Sequence, residues 1–391
     1  MPYDAGVNRL GVVVIVLTLA AARPVRAQYP PITNREYAID LYDGVAIGNT
    51  DMVGMGGAGA AVVLGTAGVL MNPSAIAVRP TTDNDRWSLD YHLDFLTGQY
   101  SSDYDNNGQV ASGGASLVTG GFGGRIGNWG AAVTTLIQMA PVVGSSLTAT
   151  AGRARVVLAR WIPQIDLAVG GGFQYAAFDI DPSSGPSLFR ISGYGLLAGA
   201  TWLPHGESYR LAAALDGAID GGQLLAGAAC DPDNCMGYIL PARARTPARL
   251  VAGGAYRWAP TAWNQQVATP FRDERSLTLA ADVVVTGATA SGAGVEAFGM
   301  HELQPSGRHT VVGVRGGAEL ECLPGRLRLR GGSYWEPGRF DGVGGRAHAT
   351  FGLDLRVLAF QLFGERRGRI SLTGDVADRY RNIVASIGFW H

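Results

Sequence analysis

The side chains best placed for chemistry are a histidine between two aspartates, two short runs of alternating arginines, and a cysteine pair. His92 lies two residues from both Asp90 and Asp94, so in an extended strand all three share one face. A carboxylate can orient an imidazole as a general base, and a serine–histidine–aspartate hydrolase could draw on such parts. The stronger reading is a wet charge network shared with arginines. Arg153 and Arg155 share a face, as do Arg326, Arg328 and Arg330. Guanidinium groups bind carboxylates in a bidentate fork, so an anionic amphiphile could dock its head there. The favoured alternative is that Asp90, Asp94, Asp282, Glu319 and Asp354 pair with these arginines and rigidify the interior. Cys230 and Cys235 bracket a polar, turn-rich stretch, where a local disulfide clipping a loop is the plain expectation. Cys322, beside Pro324-Gly325, has no assigned role.

Other chemistry finds no support. There is no His-Glu-x-x-His, no pair of cysteine pairs at zinc spacing and no phosphate-binding loop, so neither a metal, a cofactor nor an enzymatic activity is expected. The glycine clusters at 120–124 and 170–172 sit in strand-like surroundings with no following helix. Small residues there suit barrel curvature or close approach of another segment. With net charge −1, nothing electrostatic argues for nucleic acid. Every basic side chain is Arg.

The elements that must position these groups are strands. The 391-residue chain carries 57 Gly and only 16% charged residues, against about 25% in a soluble domain. Mean hydropathy is +0.11, yet the apolar residues are spread through short alternating segments rather than runs of about 20. Trp87, Leu89, Tyr91, Leu93 and Phe95 alternate with Ser88, Asp90, His92 and Asp94. Leu327, Leu329 and Trp335 oppose Arg326, Arg328 and Arg330. Ala347, Ala349, Phe351, Leu353 and Leu355 oppose His348, Thr350, Asp354 and Arg356. One face of each strand can meet lipid while the other stays wet.

Strands are expected at 86–96, 113–124, 127–139, 147–161, 164–178, 187–203, 207–220, 247–259, 275–287, 309–320, 325–336, 346–363, 368–376 and 381–390. That is about fourteen, within a range of twelve to sixteen, and residues 294–303 could add another. The connections at 97–112, 179–186, 221–246, 288–308 and 337–345 are long. Those at 125–127, 162–163, 204–206, 321–324 and 364–367 are tight, while 260–274 breaks the rule. Long loops on one side and short turns on the other, with aromatics near strand ends, indicate an all-β, transmembrane antiparallel β-barrel. The last segment alternates into Phe389 and Trp390, as a strand read by the barrel-assembly machinery would, although the chain ends on His391.

Before the barrel the reading changes. Arg9, the apolar core 11–22 and the small residues of Val25-Arg26-Ala27 make a secretory signal, with cleavage expected between Ala27 and Gln28. The expected divisions are signal peptide 1–27, N-terminal extension and hatch 28–84, and barrel 85–391. Residues 52–71 are uncharged and long enough for a membrane helix, but their glycines favour close packing inside protein. Asn72 before Pro73 is pushed out of the helical region and reads as a turn whose side chain satisfies backbone groups.

Ile47-Gly48-Asn49-Thr50, Gly54-Met55-Gly56-Gly57-Ala58 and Asn72-Pro73-Ser74-Ala75-Ile76-Ala77 resemble, in order and spacing, the N-terminal signature of FadL-like outer-membrane transporters. The resemblance covers 44–96 and is architectural beyond. It implies a hatch folded into the lumen, with Gly54, Gly56, Gly57, Asn72 and Pro73 in gating or ligand roles. It also implies passive uptake, in a bacterial outer membrane, of hydrophobic or amphipathic small molecules such as long-chain fatty acids. Two departures stand out: 62–67 lacks the acidic residues family members often carry there, and Ser74 replaces the usual Ala. PorV-like secretion components are similar in signature and would imply a protein partner instead of a small-molecule ligand. A closed structural barrel is a third option. In each case outer-membrane lipid is the surrounding partner.

Overall fold

The computed structural model describes residues 29–78, 86–97, 102–110, 113–222, 230–267, 271–361 and 365–390. The expected signal segment and His391 lie outside them. Fourteen antiparallel strands form one sheet in which each strand pairs with its sequence neighbours. They are β1 (Trp87–Thr97), β2 (Ser116–Ile126), β3 (Trp129–Pro141), β4 (Leu147–Ile162), β5 (Leu167–Pro182), β6 (Phe189–Trp202) and β7 (Tyr209–Asp216). The rest are β8 (Arg249–Trp258), β9 (Ser276–Thr286), β10 (Val311–Leu323), β11 (Leu327–Glu336), β12 (Arg346–Gln361), β13 (Glu365–Ala377) and β14 (Tyr380–Trp390). β14 comes alongside β1, so the sheet closes on itself. Closure brings together the two edge strands that an open sheet of this size would expose.

The distribution of side chains is inverted relative to a soluble protein. Phe173, Leu196 and Ile387 are 64%, 64% and 72% exposed, whereas Asp94, Asp282 and Asp354 are at most 2% exposed. Alternation puts the apolar set outside and the charged set in the lumen. This is the arrangement of a barrel whose wall meets lipid.

The expected strands match these closely, and each departure has a local cause. The strand expected at 207–220 ends at Asp216. Beyond it the chain peels away, and Ile219–Gly221 pairs with Arg243–Thr246 in a second sheet. That sheet has five short strands in the order Pro305–Ser306, Gly292–Ala293, Ala38–Asp40, Arg243–Thr246 and Ile219–Gly221. It caps the long-loop mouth over an apolar core of Ile39, Phe178, Ile180, Phe189, Ile191, Leu240 and Phe298. The additional strand considered at 294–303 is instead a helix, Val295–Gly299, followed by a turn. The long connection 259–275 lies on the short-turn side, where Asp273 pairs with Arg367 at 2.6 Å. Cys230 and Cys235 are joined in a disulfide within the cap, while Cys322 is free and half-buried.

Candidate functional site

Residues 50–78 fill the lumen as a compact plug. The apolar stretch 52–71 does not make a membrane helix. Among the described residues no helix is long and apolar enough to cross a bilayer. It breaks instead into α1 (Thr50–Gly54) and α2 (Gly65–Gly68), and a 3-10 turn, Pro73–Ala77, follows. Gly56 and Gly57, at φ +64° and +75°, end α1 in the left-handed region where a side chain is strained.

A plug of short turns leaves many backbone groups without helical partners, and these must be satisfied by the wall. Asp282 Oδ2 on β9 accepts from the N–H groups of Gly59 and Ala60 at 2.9 and 3.0 Å. Asp90 Oδ2 on β1 accepts from Thr66 N–H at 2.6 Å, and His92 Nδ1 shares a 2.9 Å hydrogen bond with Thr66 Oγ1. On β4, Arg155 donates to the carbonyls of Val69 and Leu70 at 3.2 and 2.9 Å. Thr350 on β12 donates to Gly54 O, and Arg125 on β2 donates to Val78 O. Hydrogen bonds to ionised groups of this sort are each worth about 1.5–3 kcal/mol.

Ion pairs fix the start of the plug. Asp51 on α1 meets Arg330 at 3.0 Å and also pairs with Arg369. Both arginines share Asp354, at 2.8 and 2.6 Å, and Arg330 bonds Glu319 at 2.6 Å. Asp94 stands 3.6 Å from Arg369. Burial alone would raise the Asp51 carboxyl, but Arg330 and Arg369 outweigh it and hold the group below the usual carboxylate range.

The other end of the plug is fixed by Asn72. Its Oδ1 accepts from Ser74 N–H at 3.0 Å, capping the 3-10 turn. Its Nδ2 donates to Thr201 Oγ1 and Ala200 O on β6 at 2.9 and 3.1 Å. A Cβ on Gly170 would come within 2.5 Å of Pro73 O, and one on Gly199 within 2.2 Å of Asn72 Oδ1. Only glycine in the wall lets this turn lie so close.

The expected site residues therefore divide. Gly54, Gly56, Gly57, Asn72 and Pro73 form plug–wall contacts, and Asp90, His92, Asp94, Arg155 and Arg330 form the seat. Arg153 pairs with Asp43 just above the plug, beside Arg155, which meets Asp216 at 3.0 Å. Arg328 belongs to a separate pair with Glu321 at 3.1 Å. Arg326 is a correction: it sits exposed in the turn between β10 and β11, because β11 begins one residue later and alternation does not reach it. Asp90 and Asp282, expected to pair with arginines, hold plug backbone instead. Arg369 and Asp51 were missed. Arg369 had a signal, since Arg367, Arg369, Ser371, Thr373 and Asp375 follow the wet-face period along β13.

Also missed was a buried relay in the lumen wall. Glu336 Oε2 meets His348 Nε2 at 2.9 Å, His348 Nδ1 meets Asp375 Oδ1 at 2.8 Å, and Tyr334 donates to Asp375 at 2.6 Å. Tyr334 Oη in turn accepts from Ala46 N–H, tying the relay to the chain entering the plug.

Two clefts, one against the plug and one between residues 41–43 and the wall, hold about 20 Å³ each, room for a water molecule but not for a hydrocarbon. One is lined by Ile47, Leu70 and Leu136 together with Asp43, Arg153, Arg155 and Arg249.

Comparison with solved structures agrees with this architecture. The chain superposes on the monoaromatic hydrocarbon channel CymD with a TM-score of 0.55 at 15% identity, covering 89% of this chain and 98% of that one. A Pseudomonas aeruginosa FadL homologue gives 0.52 at 14%, covering 93% and 96%. The P. putida toluene transporter TodX gives 0.51 at 14%, covering 91% and 97%. No protein-family profile and no curated sequence matches the chain. The fold is that of FadL-type outer-membrane β-barrels with a lumenal hatch.

Proposed function

We propose that this protein lets hydrophobic or amphipathic small molecules cross a bacterial outer membrane passively, with residues 50–78 as the gate. The observation that carries this reading is the seated plug: it closes the lumen through directed polar contacts, so passage requires its displacement. The solved neighbours named as toluene and monoaromatic hydrocarbon channels support a hydrophobic cargo. Within that class, the reading favours an amphiphile with an acidic head, such as a long-chain fatty acid, admitted once displacement of the plug widens the cleft beside Leu70. The apolar side chains of that cleft stand beside Arg153, Arg155 and Arg249, which among the described residues are matched by two carboxylates, Asp43 and Asp216. The remaining partners in this reading are annular lipid, the barrel-assembly machinery during biogenesis, and a signal peptidase cutting between Ala27 and Gln28.

Uptake of labelled toluene and of a labelled long-chain fatty acid into vesicles, with and without residues 44–80, tests the proposal. The intact protein is expected to carry at least one of them faster than empty vesicles, and the deletion to change that rate. Unchanged uptake on deletion would remove the hatch from the mechanism. No uptake by the intact protein would remove the transport reading.

A further inference from the structure

Successive lumen-facing positions of β12 bear on the first part of the hatch. Asp354 holds the two arginines that hold Asp51, and Thr350 donates to Gly54 O. A Cβ on Gly352 would stand 3.3 Å from Gly54 Cα. The next position, toward the long-loop end of the strand, is His348. It lies between two carboxylates, Glu336 at the end of β11 and Asp375 on β13, which meet its Nε2 and Nδ1 at 2.9 and 2.8 Å. All three side chains are buried, at 0–1% exposure.

Counting protons fixes the state of the ring. A neutral imidazole has one N–H and one lone pair, so it can donate to one carboxylate only and turns its lone pair toward the other. The imidazolium donates to both. Charge leads to the same answer by a separate route. Glu336 is matched by Arg346 at 2.6 Å. Asp375 meets no guanidinium among the described residues; its partners are His348 and the Tyr334 hydroxyl, which donates at 2.6 Å. A buried carboxylate without a counter-charge is strongly disfavoured, and His348 supplies one. Around this core, Tyr380 on β14 stands edge-on to the ring at 5.1 Å. Arg346 also lies 3.8 Å from Asp103, which is 3.8 Å from Arg379. On β10, Arg315 is 5.8 Å from the Tyr334 ring, and Tyr42 of the entering chain feels the charge of Glu336.

Both arms of this clamp end on the chain that enters the hatch. Tyr334 is stacked on His348 at 4.1 Å, and its Oη accepts from Ala46 N–H at 3.1 Å while donating to Asp375. Glu336 Oε1 has no hydrogen-bond partner and lies so close to Gly44 that a Cβ there would collide with it. We propose that His348, as imidazolium, is a proton-dependent latch on the hatch. While charged it fixes Glu336 and Asp375, and through Tyr334 the chain at 44–46. Loss of its proton opens one of the two contacts, frees that chain and favours release of α1. Two carboxylates favour the charged ring, so the latched state keeps the proton and rising pH draws the equilibrium toward the open one. The latch acts on residues 50–78 as the gate, and so rests on that reading.

Hydrogen exchange of the full protein in detergent, read by mass spectrometry and corrected for intrinsic rates, tests this from about pH 6 to about pH 9. Free carboxyls titrate at about 4 and phenols at about 10, so the window isolates histidine. In the wild type, protection of 44–54 is expected to fall at least about tenfold (1.4 kcal/mol) across that range, with the cap core around Phe189 and Phe298 unchanged. His348→Gln should leave 44–54 weakly protected at both ends of the range. Asp375→Asn should also abolish the pH dependence, but with 44–54 protected throughout. There a neutral ring can donate to Glu336 through Nε2 and accept from the introduced amide through Nδ1. A histidine that only fills space would not produce that opposed pair of results. His92, bonded to Thr66, is another histidine of the hatch seat, and His348→Gln separates its contribution. Equal protection of 44–54 at both ends of the range in the wild type would overturn the latch, as would a pH dependence that survives in either variant. No cargo is present in these measurements, so the latch can fail while uptake stands, and a protein that carries nothing can still show the latch titrating.

Discussion

Two regions close this barrel, and they are held in opposite ways. The cap over the long-loop mouth is an apolar core. Ile39, Phe189, Leu240 and Phe298 are all at 0–1% exposure, and Phe298 sits edge-on to Phe189 at 5.6 Å. The hatch buries mainly alanines and valines against the wall, and its position is set by Asp51, Asp90, Asp282, Arg155, Arg330, Arg369 and Asn72. Hydrophobic burial is non-directional and is lost all at once when water enters. Charged hydrogen bonds are directional, and water or a ligand can replace them one at a time in a wet lumen. The comparison assigns permanence to the cap and reversibility to the hatch.

That contrast can be broken most directly at Arg330. Arg330→Ala leaves Asp51 and Asp354 to Arg369 and takes from Glu319 its Arg330 partner, and stranding buried charge of this kind costs about 3–5 kcal/mol. Hydrogen exchange should accelerate across 50–60 while the cap amides stay protected. Equal acceleration in both regions would show that hatch and cap form one cooperative unit. Phe298→Ala is the mirror experiment, with an expected loss of about 3 kcal/mol from the cap core. Proteolysis within 230–300 should rise, and protection of the hatch should hold. Asn72→Ala should have the smallest effect, about 1–2 kcal/mol from a lost cap and two wall hydrogen bonds. It should loosen residues 72–78 alone, read as local exchange with an unchanged melting temperature. Loosening that spread to α1 would mean that the two ends of the hatch move together.

Much of the wall was legible because its signal is local. In β9, Leu277, Leu279 and Val283 point out and Thr278 and Asp282 point in, as their alternation requires. The Gly-Met-Gly-Gly and Asn-Pro stretches marked the hatch, and Asn72 does hold a turn. Partners across the lumen were not legible. Asp51 and Arg369 are separated by 318 positions, and the period of two says only that each faces inward. Arg326 shows the converse limit, since it keeps the period but falls in a turn.

The sequence by itself determined the strands, which face of each meets lipid and which segment interrupts the pattern, because these follow from side-chain alternation and from what glycine and proline allow the backbone to do. Only the tertiary structure decided which acid meets which arginine, where the hatch rests and how the cap sheet assembles. Those outcomes depend on the register and curvature of a closed fourteen-stranded wall, and register sets every distance across the lumen while leaving no mark in any single strand.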